Sequence, residues 1–195
     1  MKRILATLYF FALTTGAVRG AAQVHPYRDG TPGVTGYRSE VLALVMIQEN
    51  EFIRLAEAIP AEKYTWRPGP GVKSVAEVFL HVSGANYNMY KFVGAPSPAG
   101  LDVGTLEQST TDKAKVIATL KDSYAHAKKA ITDMPDANLD KTLDWSGGTI
   151  TQRGVLLFIV PHIAEHLGQA IAYARINGVV PPWSEDDQRK TLEKR

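Results

Sequence analysis

Apolar residues recur at three- and four-residue steps in four separate stretches of the chain, and each stretch is bounded by Pro, Gly or a capping residue. In the first, Leu42, Val45, Met46, Glu49, Phe52, Ile53 and Ala56 follow a helical period that begins near Ser39 and stops at Pro60. The second opens with Ser74-Val75-Ala76-Glu77, a capping box in which the Ser hydroxyl and the Glu carboxylate each satisfy a first-turn amide. It predicts a helix over 74–93, ended by Gly94, Pro96 and Pro98. The third, over 111–134, carries Ile117, Leu120, Tyr124, Ala127 and Ile131 on one stripe, with Lys115, Lys121, Asp122 and Lys128 mostly off it. The fourth starts after Thr151, a suitable N-cap, and runs to Asn177. Gly178 suits the position after the helix, Pro181-Pro182 forbid continuation, and Pro161 inside the helix should bend it.

The connections differ in length. A Pro- and Gly-rich linker spans 67–73, a long loop spans 94–109, and an irregular stretch over 135–149 contains Trp145-Ser146-Gly147-Gly148-Thr149, which reads as a turn or short hairpin. Loops as long as 94–109 are often crossovers or functional, and this one could contribute to a pocket or an interface. The expected fold is all-α: a four-helix bundle over 39–183, of up-and-down type with one long connection.

The N-terminus follows a different pattern. Lys2 and Arg3 precede an apolar run over 4–18, and Gly20, Ala21 and Ala22 follow, which is the layout of a secretory signal peptide over 1–22. Export to the periplasm or the medium is expected, with no stable membrane span after cleavage, because the run is short of the roughly 18 residues a span requires. The alternative is an uncleaved anchor or a buried helix. Residues 23–38, rich in Gly, Pro, Tyr and His, read as a flexible lead-in, and 184–195 as a polar tail. Removing 1–22 takes away three of 22 basic residues and none of the 20 acids, so the formal charge moves from +2 to −1. A near-neutral, mixed surface provides no footprint for nucleic acid. The chain of 195 residues has no cysteine, which excludes disulfides, Cys-ligated zinc or iron–sulfur centres and a thiol nucleophile.

Candidate chemistry centres on histidine. His162 and His166 lie four apart on the fourth helix and therefore on one face, shared with Gln169, Ala170 and Tyr173. His81 lies one turn after Glu77 in the second helix. Two imidazoles from one helix and one from a facing helix make a three-nitrogen site with an open coordination position, the pattern of catalytic rather than structural metal sites. The plainer reading is a chance pair of histidines, each hydrogen-bonded in the core. Residues 162–166 also match the H-x-x-E-H inverted zinc-peptidase motif. Its further acidic ligand would have to come from the polar tail beyond Pro181-Pro182, so His81 as third ligand explains the pair with less strain. His126 falls on the outer face of the third helix and reads as solvated; His25, in the lead-in, is a poor ligand candidate.

The motifs resemble those of the DinB-like superfamily of metalloproteins. The C-terminal pattern comprises His162, His166, Gly168-Gln169, Arg175, Gly178 and Pro181-Pro182; the earlier one comprises Trp66, Pro68, Ser74, Glu77 and His81. The resemblance implies a four-helix bundle, often homodimeric, that binds a divalent metal ion, commonly zinc or nickel, through three histidines: here His81, His162 and His166. Where relatives often carry a second His before the last ligand, this chain has Glu165, either a solvated charge or a base or orienter beside the metal. Glu77 is explained by its cap, though it could touch the metal shell. Gln169 either lines the site or packs against a neighbour, Tyr87 and Tyr173 either fill core or donate to a substrate oxyanion, and Arg175 offsets the helix dipole or pairs with an acid. Three functions follow as expectations. The first is a hydrolase using metal-bound water on an unidentified small substrate, with Glu165 as the catalytic candidate. The second is thiol-dependent transfer or isomerisation, which export disfavours because such thiols are cytosolic. The third is a non-enzymatic metal-binding scaffold.

Overall fold

The computed structural model describes residues 33–184; the expected signal peptide, residues 23–32 of the expected lead-in and the tail after Ser184 lie outside the described residues. Four long helices form: α1 (Gly36–Ala58), α2 (Val75–Tyr90), α3 (Lys113–Asp133) and α4 (Gln152–Ile176). Helix α1 starts three residues before the expected boundary. Arg38 explains the early start: its buried guanidinium pairs with Asp136 and donates to the carbonyls of Ile131 and Thr132 at the end of α3. Those carbonyls have no partner within their own helix, so a cation there satisfies them and offsets the helix dipole.

Each remaining helix start is chemically marked. Ser74 and Glu77 form the expected capping box, and Asp112 and Thr151 accept from the amides of Lys115 and Gly154 at the starts of α3 and α4. Helix α4 runs unbroken through Pro161, where Gln48 of α1 donates to the Val160 carbonyl at 2.9 Å. It is long and apolar enough to cross a membrane by length and composition, but it packs against α1 and α2 as a bundle helix. Its end is set by Gly178, whose φ of +79° side chains disfavour.

The core lies among the four helices. Phe52 contacts Phe79 edge-on at 6.1 Å and Tyr124 at 6.3 Å, and Tyr64, from the connection between α1 and α2, packs on Phe79 at 6.0 Å. All four rings are fully buried. Met46, expected on the buried stripe of α1, is 39% exposed, because the inward arc there is already filled by Val45, Leu42 and Gln48. The principal contacts join α1 to α3 and α4, and α2 to α3 and α4. The sequence neighbours α1 and α2 therefore sit across the bundle, as do α3 and α4. This arrangement is possible because the 59–74 connection is itself packed: the Tyr64 hydroxyl donates to the Ala56 carbonyl at 2.7 Å, and the amides of Val75 and Ala76 donate back to Trp66 and Tyr64.

The stretch before α4 forms the expected hairpin, β1 (Thr142–Trp145) paired antiparallel with β2 (Gly148–Thr151). Its two-residue turn holds Ser146 at φ +47° and Gly147 at φ +84°, the double positive φ of a turn whose twist matches the strands. The second long connection is not featureless either. Leu106 is buried, and the turn Leu106–Gln108 packs against α2, bringing Glu107 beside His81.

The capping box sets an acid limit on stability. The Ser74 amide, chiefly, with the Ser74 hydroxyl and Arg67, holds the Glu77 carboxyl below its ordinary 4.5. A carboxyl whose folded pKa is depressed contributes its stabilisation fully above the unfolded value and loses it as the pH falls through the folded one. Ser74→Ala is expected to cost about 1 kcal/mol near neutrality. In thermal melts across pH, Glu77→Gln should flatten the decline in stability below pH 4.5.

Candidate metal centre

His81 comes from the middle of α2, and His162 and His166 come from successive turns of α4, the helix that packs beside it. The ring centroids are 5.4 Å apart for His81 and His162, 4.5 Å for His81 and His166, and 4.8 Å for His162 and His166. One donor nitrogen from each ring lies within 4.8 Å of the other two. All three side chains are half-buried. The sequence expectation of a convergent trio is met by residues 81 positions apart.

Each ring is held by a different device. The Nδ1 of His81 faces Glu107 Oε2 at 2.9 Å, and the other carboxylate oxygen pairs with Lys73. The Nδ1 of His166 faces Gln169 Oε1 at 2.9 Å, and Gln169 Nε2 donates to the Tyr173 hydroxyl at 2.9 Å. Tyr173 is in turn wedged edge-on against Trp66 at 5.3 Å. Oxygen acceptors at both Nδ1 atoms place the proton there and leave Nε2 of His81 and His166 with a free lone pair; such partners are the outer support that ligating histidines commonly have. His162 is supported by stacking: its ring lies 14° from parallel to Phe158, at 6.3 Å, and Phe158 rests on Trp145 of the hairpin at 5.5 Å. The hairpin therefore reaches the centre through two aromatic rings.

Electrostatics favour the donor form. Burial lowers the pKa of His162, and the His166 and His81 rings add to this. Burial also lowers that of His81, with the hydrogen bond to Glu107 pulling the other way. Burial alone would raise the Glu107 carboxyl, but hydrogen bonds from Lys73 and His81 outweigh it and hold it below the ordinary value. Imidazole nitrogens around a shared space are the donor set of a borderline divalent cation, and three of them leave a position for a further ligand. His81, His162 and Glu107 also line a cleft of about 310 Å³ between α2 and residues 103–108, so a small molecule can reach two of the imidazoles.

Other candidates fall elsewhere. Glu165 is exposed and, among the described residues, is hydrogen-bonded to none of the three imidazoles; the carboxylate that touches one of them is Glu107, from the long loop. Glu77 is occupied by Ser74 and by Arg67 at 3.0 Å. Of the two alternatives for Gln169, it lines the site: its Oε1 faces the His166 ring, and Tyr173 supports it. Tyr87 is buried on the far side of α2, against His126 at 5.2 Å. His126 is therefore not solvated as expected: it is half-buried, Nε2 is enclosed, and burial lowers its pKa, because the 94–97 segment folds over that face of α3. Arg175 is exposed and reaches Ser184 at 3.5 Å. Sequence reasoning missed Glu107, Lys73 and Phe158. The available signal for Glu107 was an acid directly after Leu106, a large apolar residue inside an otherwise polar loop.

Comparison with known proteins agrees with this geometry. Residues 47–170 match the model of the DinB superfamily. A DinB-like protein of Bacillus subtilis, YjoA, superposes with a TM-score of 0.59 at 18% identity, covering 71% of this chain and 92% of its own. A DinB-like protein of Bacillus cereus gives 0.62 at 14%, covering 72% and 94%. YfiT of Bacillus subtilis, described as a probable metal-dependent hydrolase with an unusual four-helix bundle topology, gives 0.60 at 14%, covering 76% and 93%. No curated protein matches the chain significantly. With the family model covering most of the bundle and the three-histidine group in place, the chain belongs to the DinB superfamily.

Proposed function

We propose that the protein is an exported metal-dependent hydrolase of small substrates, with zinc or nickel held by His81, His162 and His166. The observation that carries this reading is the convergence of three supported imidazoles, two of which line an open cleft. The description of YfiT as a probable metal-dependent hydrolase supports it, and the signal-like residues 1–22 support export. A divalent ion in such a site supplies Lewis acidity and makes water acidic enough to react near neutrality. The chain supplies the rest. Glu107 and Gln169 fix two rings with Nδ1 protonated, Phe158 backs the third, and the cleft admits the substrate beside them.

The test is metal analysis of protein purified without nickel resin, followed by hydrolysis screens on carboxylic esters, amides and phosphate esters, with His162→Ala as control. Near-stoichiometric metal and hydrolysis that the variant loses are expected. Equal metal content in wild type and variant would show the site to be misassigned. Metal without any hydrolysis would favour a scaffold, and activity only with added thiol would favour a transferase.

A further inference from the structure

The cleft beside the imidazoles contains a glycine that the fold does not require. Gly84 lies one turn beyond His81 in the interior of α2, with ordinary helical backbone. Glycine there is destabilising relative to alanine, so a reason is needed. Close packing is not one: an added Cβ would meet nothing nearer than Val103 Cγ1, at 3.6 Å, an ordinary contact. What the missing side chain leaves open is the cleft itself. At three-, four-, seven- and eight-residue steps from His81, the same face of α2 presents Gly84, Ala85, Asn88 and Met89.

The chemistry of this lining is selective. Leu80, Ala85, Met89 and Val103 form apolar walls, and the exposed amides of Asn88 and Gln108 stand at its edge. None of its lining residues is Lys or Arg, and its one carboxylate, Glu107, has both oxygens engaged by Lys73 and His81. An anionic tail would find no cation there, and a cationic tail no free anion. The volume of about 310 Å³ is at the lower end for small-molecule pockets. We propose that this cleft binds the uncharged, largely apolar side of a small substrate whose polar head meets the three imidazoles, and that Gly84 determines the size of the group accepted. This rests on the metal-centre reading above.

Hydroxamates test it without turnover, because their heads bind an accessible metal and their tails can be varied. With the zinc-loaded full chain, hexanohydroxamate should bind about tenfold or more tightly than acetohydroxamate, as burial of added methylenes requires. The monohydroxamate of adipic acid, which ends in a carboxylate, should lose that gain. Gly84→Leu should abolish the difference between the two alkyl probes while retaining acetohydroxamate and zinc binding, and Gly84→Ala should reduce it. Equal affinity of wild type for the two alkyl probes overturns the cleft proposal alone. An undiminished gain in folded Gly84→Leu overturns the role of Gly84, and equal binding of the adipic probe overturns the preference for uncharged groups. Failure of every hydroxamate to bind zinc-loaded protein overturns the metal reading as well.

Discussion

His81→Ala protein is expected to fold and to lose divalent-metal affinity by more than a hundredfold, since removing a ligand should exceed the about 10- to 100-fold cost of losing an outer partner. The two remaining imidazoles, on successive turns of one helix, cannot surround an ion; His81 supplies the opposing side from α2. Folding should survive because the His81 side chain is 30% exposed and its Glu107 partner keeps Lys73. Alanine is also the best helix former at an interior position. Competition against a chromophoric chelator, with a thermal melt of the same sample, measures both quantities. Zinc affinity within threefold of wild type in the folded variant would refute the assignment.

The second large effect is expected at Glu107. Glu107→Ala should weaken metal binding about 10- to 100-fold, or about 1.4–2.7 kcal/mol, although the residue touches no ion itself. It removes the acceptor that keeps the His81 proton on Nδ1 and orients the ring at 2.9 Å. Glu107→Gln should lose less, because an amide oxygen still accepts from Nδ1–H while the negative charge is gone. The surface pairing with Lys73 alone would not produce this order, since partly exposed ion pairs contribute little to stability. Unchanged metal affinity in both variants, measured by the same chelator competition, would reduce Glu107 to a loop anchor.

Local chemistry and hydrophobic period were enough to define much of this protein from its sequence. The Ser74–Glu77 box, the Thr151 cap, the Ser146-Gly147 turn and the Gly178 stop are local interactions, each decided within about four residues. The i, i+4 spacing of His162 and His166 put two imidazoles on one face for the same reason. Tertiary packing decided the rest. Which helices are neighbours depends on how Tyr64 and the 59–74 connection fill one end of the core, and no period in the sequence encodes that. Glu107 meets His81 only because Leu106 buries itself against the bundle, and Trp145 meets Phe158 only because the hairpin folds back beside α4. Contacts between residues far apart in the chain are set by the shape of the packed core, so the place of the third imidazole beside the other two, and its supports, were decided only in three dimensions.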